Sequence, residues 1–398
     1  MEFKKTKRVD DRVIQRDFDI EVAGNVVPCV IWMPNPGVPS RALIAMGHGG
    51  SHELLNKAEP IAIRHHLTEQ LVKLHHLRGN LYYGTGNIEG CRGEHIIALK
   101  IARETGSIED EARALGGIAD AECARGRMRS AYESFQLCID RCRDIGLGRV
   151  EVANRSQMAN CFYFLGNSQD ALKCSNEAVA AAARVGHLRA EMNALEGICN
   201  VGLDTGDSEL LSTYAERGSA IARQLQSNAW EAYYLSLSAV AHYFDRDLAR
   251  AEELAETAVR IGESSGAFTG GWTLGALSMV TDSPDTRTKA LQEGDDLLAK
   301  GMNGEGHLHF VRYAMLACSQ AGMWDELDRY AKAMEDYTRS EPLPWSNFFI
   351  AYSRILSRIG RGERSDSVGT DVTRLLDTAT SLGYTASVKH LKAELSRF

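Results

Sequence analysis

Two patterns of polar and apolar positions share this chain, and they change over near residue 66. Phe18, Ile20 and Val22 alternate with Asp17, Asp19 and Glu21, the two-residue period of a half-buried strand. Gly24 and Asn25 supply a tight turn, and Val26 to Met33 reads as the returning strand of a hairpin. After a proline-rich loop, Ala42 to Met46 reads as a buried strand running into Gly47-His48-Gly49-Gly50. Three short strands are therefore predicted in the head. Pro28, Pro34, Pro36, Pro39 and Pro60 fall there, and no further proline appears until Pro284. So long a stretch without proline suits uninterrupted helices, because proline removes a backbone donor and clashes with the preceding turn.

From residue 67 onward the punctuation is glycine. Gly86, Gly126, Gly166 and Gly206 stand 40 residues apart, and Gly106, Gly146, Gly186 and Gly266 occupy the same lattice displaced by 20, with Gln226 in the vacant slot. A glycine just past a helix closes it in the left-handed conformation, and Asn87, Asn167 and Asp207 follow as candidate N-caps. The predicted unit is helix, turn, helix, turn. Three columns of small residues lie between the turns: Gly79, Ala119, Ala159, Cys199, Ala239; then Cys91, Ala131, Ala171, Leu211, Ala251; then Ala98, Cys138, Ala178, Gly218, Ala258. Small side chains let antiparallel helices approach closely.

Offsets of twelve and nineteen between these columns resemble tetratricopeptide repeats, here six residues longer than the usual 34. HEAT-like repeats share the longer period, but the small-residue offsets and the lack of a repeated proline favour the tetratricopeptide reading. The expected fold is mainly α: a TPR-like α-solenoid over residues 67–398, regular over 67–266 and divergent over 267–398, preceded by a small β segment over 1–66. Beyond 266 a turn at Thr281 to Asp285 comes early, Gly322 and Gly360 suggest two more hairpins, and Thr385 to Phe398 a capping helix.

Gly126-Arg127-Met128-Arg129-Ser130-Ala131, Val150 to Arg155 and Glu341-Pro342-Leu343-Pro344-Trp345-Ser346-Asn347-Phe348-Phe349-Ile350 resemble the C-terminal repeat regions of large bacterial signalling proteins that carry a class III adenylate or guanylate cyclase and an ATPase module upstream. The resemblance implies a sensory or regulatory role in which the solenoid biases an output domain, with the regulatory part of an adenylate cyclase system as an alternative function. It carries over the interaction role and not cyclase activity, since neither upstream module is present in this sequence.

Charge narrows the partners. The chain carries 45 Lys+Arg against 53 Asp+Glu, for a net charge of -8, and residues 67–398 hold all the excess negative charge. Without a basic stripe interleaved with aromatics, nucleic acid is not an expected partner. The charged start of the chain, with Lys4, Lys5, Lys7 and Arg8, reads as a solvated tail rather than a signal peptide, and no segment is long and apolar enough to span a bilayer. A cytoplasmic protein with no membrane association is expected. The nine cysteines show no paired CxxC spacing, and reduced, packed thiols are expected rather than a metal site.

In a solenoid of this kind the first helix of each pair lines the concave face. Directly after the first small column stand Asn80, Asp120, Asn160 and Asn200, then Val240. An amide or carboxylate repeating at one lattice position is the predicted peptide-binding row, because carboxamides both donate to and accept from an extended backbone. The same row reads alternatively as interhelix hydrogen bonding. Arg78-Gly79-Asn80 also resembles the start of the carboxylate-clamp repeats that hold chaperone C-termini, with His76 where a lysine is expected; Gly117, Ala153 and Gln157 depart from the rest of that clamp. Glu111, Glu151, Glu191 and Glu231 fall in first turns, where the helix dipole accounts for them.

Residues 16–51 resemble the opening of a dienelactone-hydrolase-type α/β-hydrolase, and the resemblance implies an oxyanion loop at His48, Gly49 and Gly50. An esterase of that type is the alternative function. Its nucleophile and triad have no candidates: the one G-x-S-x-G match, Gly262 to Gly266, falls on the turn lattice after a predicted helix. With no P-loop and no G-x-G-x-x-G after a strand, no cofactor is expected. The predicted function is a non-catalytic scaffold that binds a protein or peptide.

Overall fold

The computed structural model describes the chain except residues 1–2, 9–12, 23–24, 35–44, 47–50, 264–268, 303 and 397–398, and before residue 52 it describes the backbone alone. His48, Gly49 and Gly50, and Ser264 to Gly266, lie outside the described residues. Two compact units divide it, Met1–Ala121 and Glu122–Phe398.

The first unit opens with an antiparallel sheet in the order β1 (Phe3–Arg8), β2 (Val13–Val22), β3 (Asn25–Pro34), β4 (Ala45–Met46). The predicted hairpin pairs in register from Val13 opposite Pro34 to Val22 opposite Asn25, and β4 joins through Val30 opposite Met46. Four strands replace the expected three, because the lysine-rich segment read as a tail is an edge strand, with Thr6 opposite Arg16. Charged residues are common on such edges, where they discourage further pairing.

The helices also begin earlier than residue 67. Helix α1 (Ser51–Arg64) forms in spite of Pro60 and packs on α2 (Thr68–Gly84) through Leu55, Ala62 and Leu74. Its burial offsets the one backbone bond that Pro60 cannot make. Helices α3 (Ile88–Thr105) and α4 (Ile108–Ala124) continue the array, and the division between units falls inside α4.

The second unit continues with α5 (Met128–Ile145), α6 (Gly148–Leu165), α7 (Ser168–Arg184), α8 (Leu188–Thr205), α9 (Ser208–Gln224), α10 (Asn228–Phe244) and α11 (Leu248–Gly262). After these come α12 (Gly270–Val280), α13 (Pro284–Ala299), α14 (Gly304–Gln320), α15 (Trp324–Thr338), α16 (Pro344–Gly360), α17 (Asp366–Leu382) and α18 (Thr385–Leu395). All three small columns are buried from end to end. Asn87, Asn167 and Asp207 each accept a backbone N–H three residues on, as N-caps do.

The turn lattice is more regular in backbone than in sequence. Positive φ recurs at Gly86, Gly106, Gly126, Gly146, Gly186 and Gly206, and also at His66, Gln226 and Arg246, which occupy the same 20-residue lattice without being glycine. Gly166 is the departure, with φ at -106°. Near the C-terminus Gly322 takes the expected left-handed turn, while Gly362 rather than Gly360 makes the next.

In the second unit the first helices form an inner layer. All eleven residues of α12 are buried, as are most of α8 and α14. Helix α16 packs back onto α6 and α18 onto α8. A helix covered all round has no solvent face to reserve for charge, and α12 carries none, whereas α8 and α14 bury Glu196, Asn200, Asp204, His309 and Arg312 as well as apolar residues.

Candidate binding site

The predicted polar row is graded by depth. Asn80 is exposed and sits 3.3 Å from His76 on the same helix. His76 lines an open groove of about 520 Å³ in the first unit together with Lys73, Asp110 and Arg113. Burial lowers the His76 pKa, and the Arg113 charge adds to the effect. Asp120 is half-buried as a residue, yet the burial of its carboxyl pushes its pKa up to about 7.

Within the second unit Asn160 and Asn200 are buried, at 2% and 1% exposure, instead of facing solvent as a concave row would. Asn160 is turned toward α8, and α16 and α18 pack onto α6 and α8 in addition. The Asn160 amide donates to the Asn193 carbonyl at 3.0 Å and to Glu196 Oε2 at 2.9 Å, so the interhelix reading describes its present bonds. The Oδ1 atoms of Asn160 and Asn200 have no partner within the protein.

A polar centre that the sequence reading missed is built on the same helices, α6 and α8, as these amides. Asp204, on α8, accepts the Tyr163 hydroxyl at 2.7 Å and is bonded by the Arg312 guanidinium. Trp345 Nε1 donates to the Tyr163 oxygen at 2.7 Å, and Arg312 also lies 4.7 Å over the Phe349 ring. Burial raises the Asp204 pKa, with Arg312 opposing it, and raises Glu196 well above the usual carboxylate range, helped by the Glu305 charge. His309 is driven down to about 3 by burial and by Arg312. It is therefore neutral at physiological pH, and neither ring nitrogen has a partner within the protein.

One lattice column carried a signal for this centre. Gly84, Ala124, Phe164, Asp204 and Phe244 share a position, and the single acid interrupts apolar or small residues. Arg312 lies beyond the regular repeats, where no column reports it. The glutamate column has partners besides the helix dipole: Glu111 pairs with Arg103 and Glu151 with Arg143, both at 3.0 Å across the turn. The described cysteines are thiols, nearly all of them buried, and no group of three His, Cys, Asp or Glu among the described residues is placed to hold a metal. No helix of the described residues is long and apolar enough to cross a membrane.

No family model matches the sequence, and no curated protein matches it. The fold has solved counterparts. A Rap protein complexed with Competence and Sporulation Factor is similar over 88% of this chain and 95% of its own, with a TM-score of 0.56 and 11% identity. A signal transduction ATPase with numerous domains and a tetratricopeptide repeat sensor, from Pyrococcus horikoshii, is similar over 87% of this chain and 48% of its own (TM-score 0.42, 13% identity). A Podospora anserina kinesin light chain with nearly identical TPR-like repeats is similar over 49% of this chain and 95% of its own (TM-score 0.37, 17% identity). The architecture is a mainly-α, TPR-like solenoid.

Proposed function

We propose that this protein is an interaction scaffold that binds an extended segment of a protein or peptide, with a regulatory role in signalling. One observation carries the proposal: the inner layer of the second unit holds Asn160 Oδ1, Asn200 Oδ1, both His309 nitrogens and two Arg312 nitrogens without protein partners. Buried polar groups in folded proteins are nearly always bonded, so open ones on the inner helices are suited to an incoming backbone or to water. The fold supports the reading, since the Rap counterpart is complexed with a factor. The regulatory part rests on the resemblance of residues 126–131 and 341–350 to signalling proteins, and those two segments meet in this structure.

Panning a random peptide library on the full chain, followed by calorimetric titration of enriched peptides, tests the proposal. Micromolar binding that weakens about tenfold in Asn200→Ala, with helicity unchanged, is the expected result. Failure to enrich any peptide would sink the interaction reading, and unchanged affinity in Asn200→Ala would remove the inner layer as its site.

A further inference from the structure

Within the second unit, beside Asp204 and Arg312, lies a cavity of about 110 Å³. Leu203, Val240, Met279 and Phe349 wall it, and Asp204, Arg312, Tyr313, Tyr352 and Ser387 bring polar groups to its lining. It reaches solvent past Gln320, which is exposed, and Tyr243, which is half-buried. Arg312 and Tyr313 are 4% and 1% exposed, and Arg312 Nε, Arg312 Nη1 and the Tyr313 hydroxyl have no partner within the protein. Space of this size takes several waters or one short polar group on an apolar stem.

The inventory of donors and acceptors selects the group. Asp204 already accepts from Tyr163 and Arg312, so the surplus at this surface is of donors and an occupant must bring an acceptor. Charge then separates two acceptors. Asp204 and Arg312 cancel each other, so a second carboxylate would leave an uncompensated negative charge in a buried site, whereas a neutral carbonyl would not. The Tyr313 hydroxyl accepts as well as donates, which gives an adjacent NH₂ group a partner.

We propose that this cavity is a subsite for a primary carboxamide on a short aliphatic stem, with its carbonyl on Arg312 and its NH₂ on Tyr313. The carboxamide comes either from an Asn or Gln side chain of a bound segment or from a free small amide; only the first source rests on the interaction reading.

Saturation-transfer NMR on the full chain tests it with isobutyramide and isobutyrate, then with Ac-Ala-Gln-Ala-NH₂ and its Glu and norleucine counterparts. The expected result is isobutyramide binding at least about tenfold tighter than isobutyrate, weakened about tenfold in Tyr313→Phe, which removes one unpartnered hydroxyl and keeps the ring. Preference for the Gln peptide over the other two assigns the carboxamide to a bound segment; binding of isobutyramide without the peptides assigns it to a free amide and counts against the interaction reading alone. Isobutyrate binding equally well, no effect of Tyr313→Phe, or no transfer to any amide overturns the subsite. Peptides that bind regardless of the Gln, Glu or norleucine residue overturn it too, while leaving the interaction reading intact.

Discussion

Glu341 accepts the backbone N–H of Arg129 at 2.7 Å, across 212 residues of sequence. Its second oxygen accepts the Ser130 hydroxyl at 2.6 Å, and Arg127 donates to the Tyr337 carbonyl at 3.0 Å. Helix α5 begins at Met128 and has no side-chain cap from its own N-cap residue, Arg127. A carboxylate brought from the α15–α16 connection therefore does the capping, where the helix dipole also favours negative charge.

Glu341→Ala is expected to lower stability by about 1–2 kcal/mol, the usual cost of a lost N-cap. Hydrogen exchange gives the specific readout. The Arg129 amide should lose protection while amides in the middle of α5 keep theirs; unchanged protection at Arg129 would show that the contact does not cap the helix.

The turn lattice makes a second set of expectations. Gln226 holds φ at +54° in the slot that glycine fills elsewhere. Gln226→Gly should therefore stabilise the protein by about 1 kcal/mol, because it removes the Cβ strain of the left-handed conformation. Gly93 lies exposed in the middle of α3, where an added Cβ meets nothing, and Gly93→Ala should stabilise by about 0.5–1 kcal/mol. Gly218→Ala should instead cost about 1–3 kcal/mol, because its Cβ would come within 2.3 Å of the buried Tyr234 ring. Denaturant titration of the three variants checks both signs at once.

These lattice positions show what the sequence made legible. Glycine spacing, N-caps and small columns each report on neighbours within about 20–40 residues, and the structure repeats them at that range. Three features needed longer reach or stronger context. The β1 edge strand has a lysine-rich sequence with weak strand preference, so only its pairing with β2 reveals it. Helix α1 depends on burial against α2 to overcome Pro60. The inner polar centre joins Asp204 to Arg312 across 108 residues and Tyr163 to Trp345 across 182, separations that no 40-residue period encodes. For the same reason the row from Asn80 to Asn200 was visible as a column, while its passage from surface to interior was not.

Tyr163 is the pivot of that centre, receiving the Trp345 N–H and donating to Asp204, each at 2.7 Å. Tyr163→Phe deletes one oxygen, which removes the acceptor of the Trp345 N–H and leaves Asp204 with its Arg312 partner, so a loss of about 1–3 kcal/mol is expected. Combining it with Trp345→Phe should cost less than the sum of the single changes, by about 1 kcal/mol, because the second substitution removes a donor the first has already stranded. Thermal unfolding of the four proteins measures this coupling. Strict additivity would mean that the two side chains contribute independently.

Asp120 should make stability depend on pH in a direction that one substitution abolishes. Burial raises its carboxyl from the usual 3.8 to about 7, so the folded protein holds this proton more tightly than the unfolded chain does. The stabilisation it contributes is complete below about pH 4 and is lost as pH rises through 7. The full shift corresponds to about 4 kcal/mol, and partial exposure of the residue reduces the expected effect to about 2 kcal/mol. Asp120→Asn keeps the shape and removes the ionisation, so its stability should change less between pH 5 and pH 8 than that of the unaltered protein, with the advantage appearing at pH 8. Denaturant titrations at the two pH values, run on both proteins, give the difference directly. If Asp120→Asn is no less pH-dependent than the unaltered protein, the Asp120 carboxyl titrates as an ordinary surface acid.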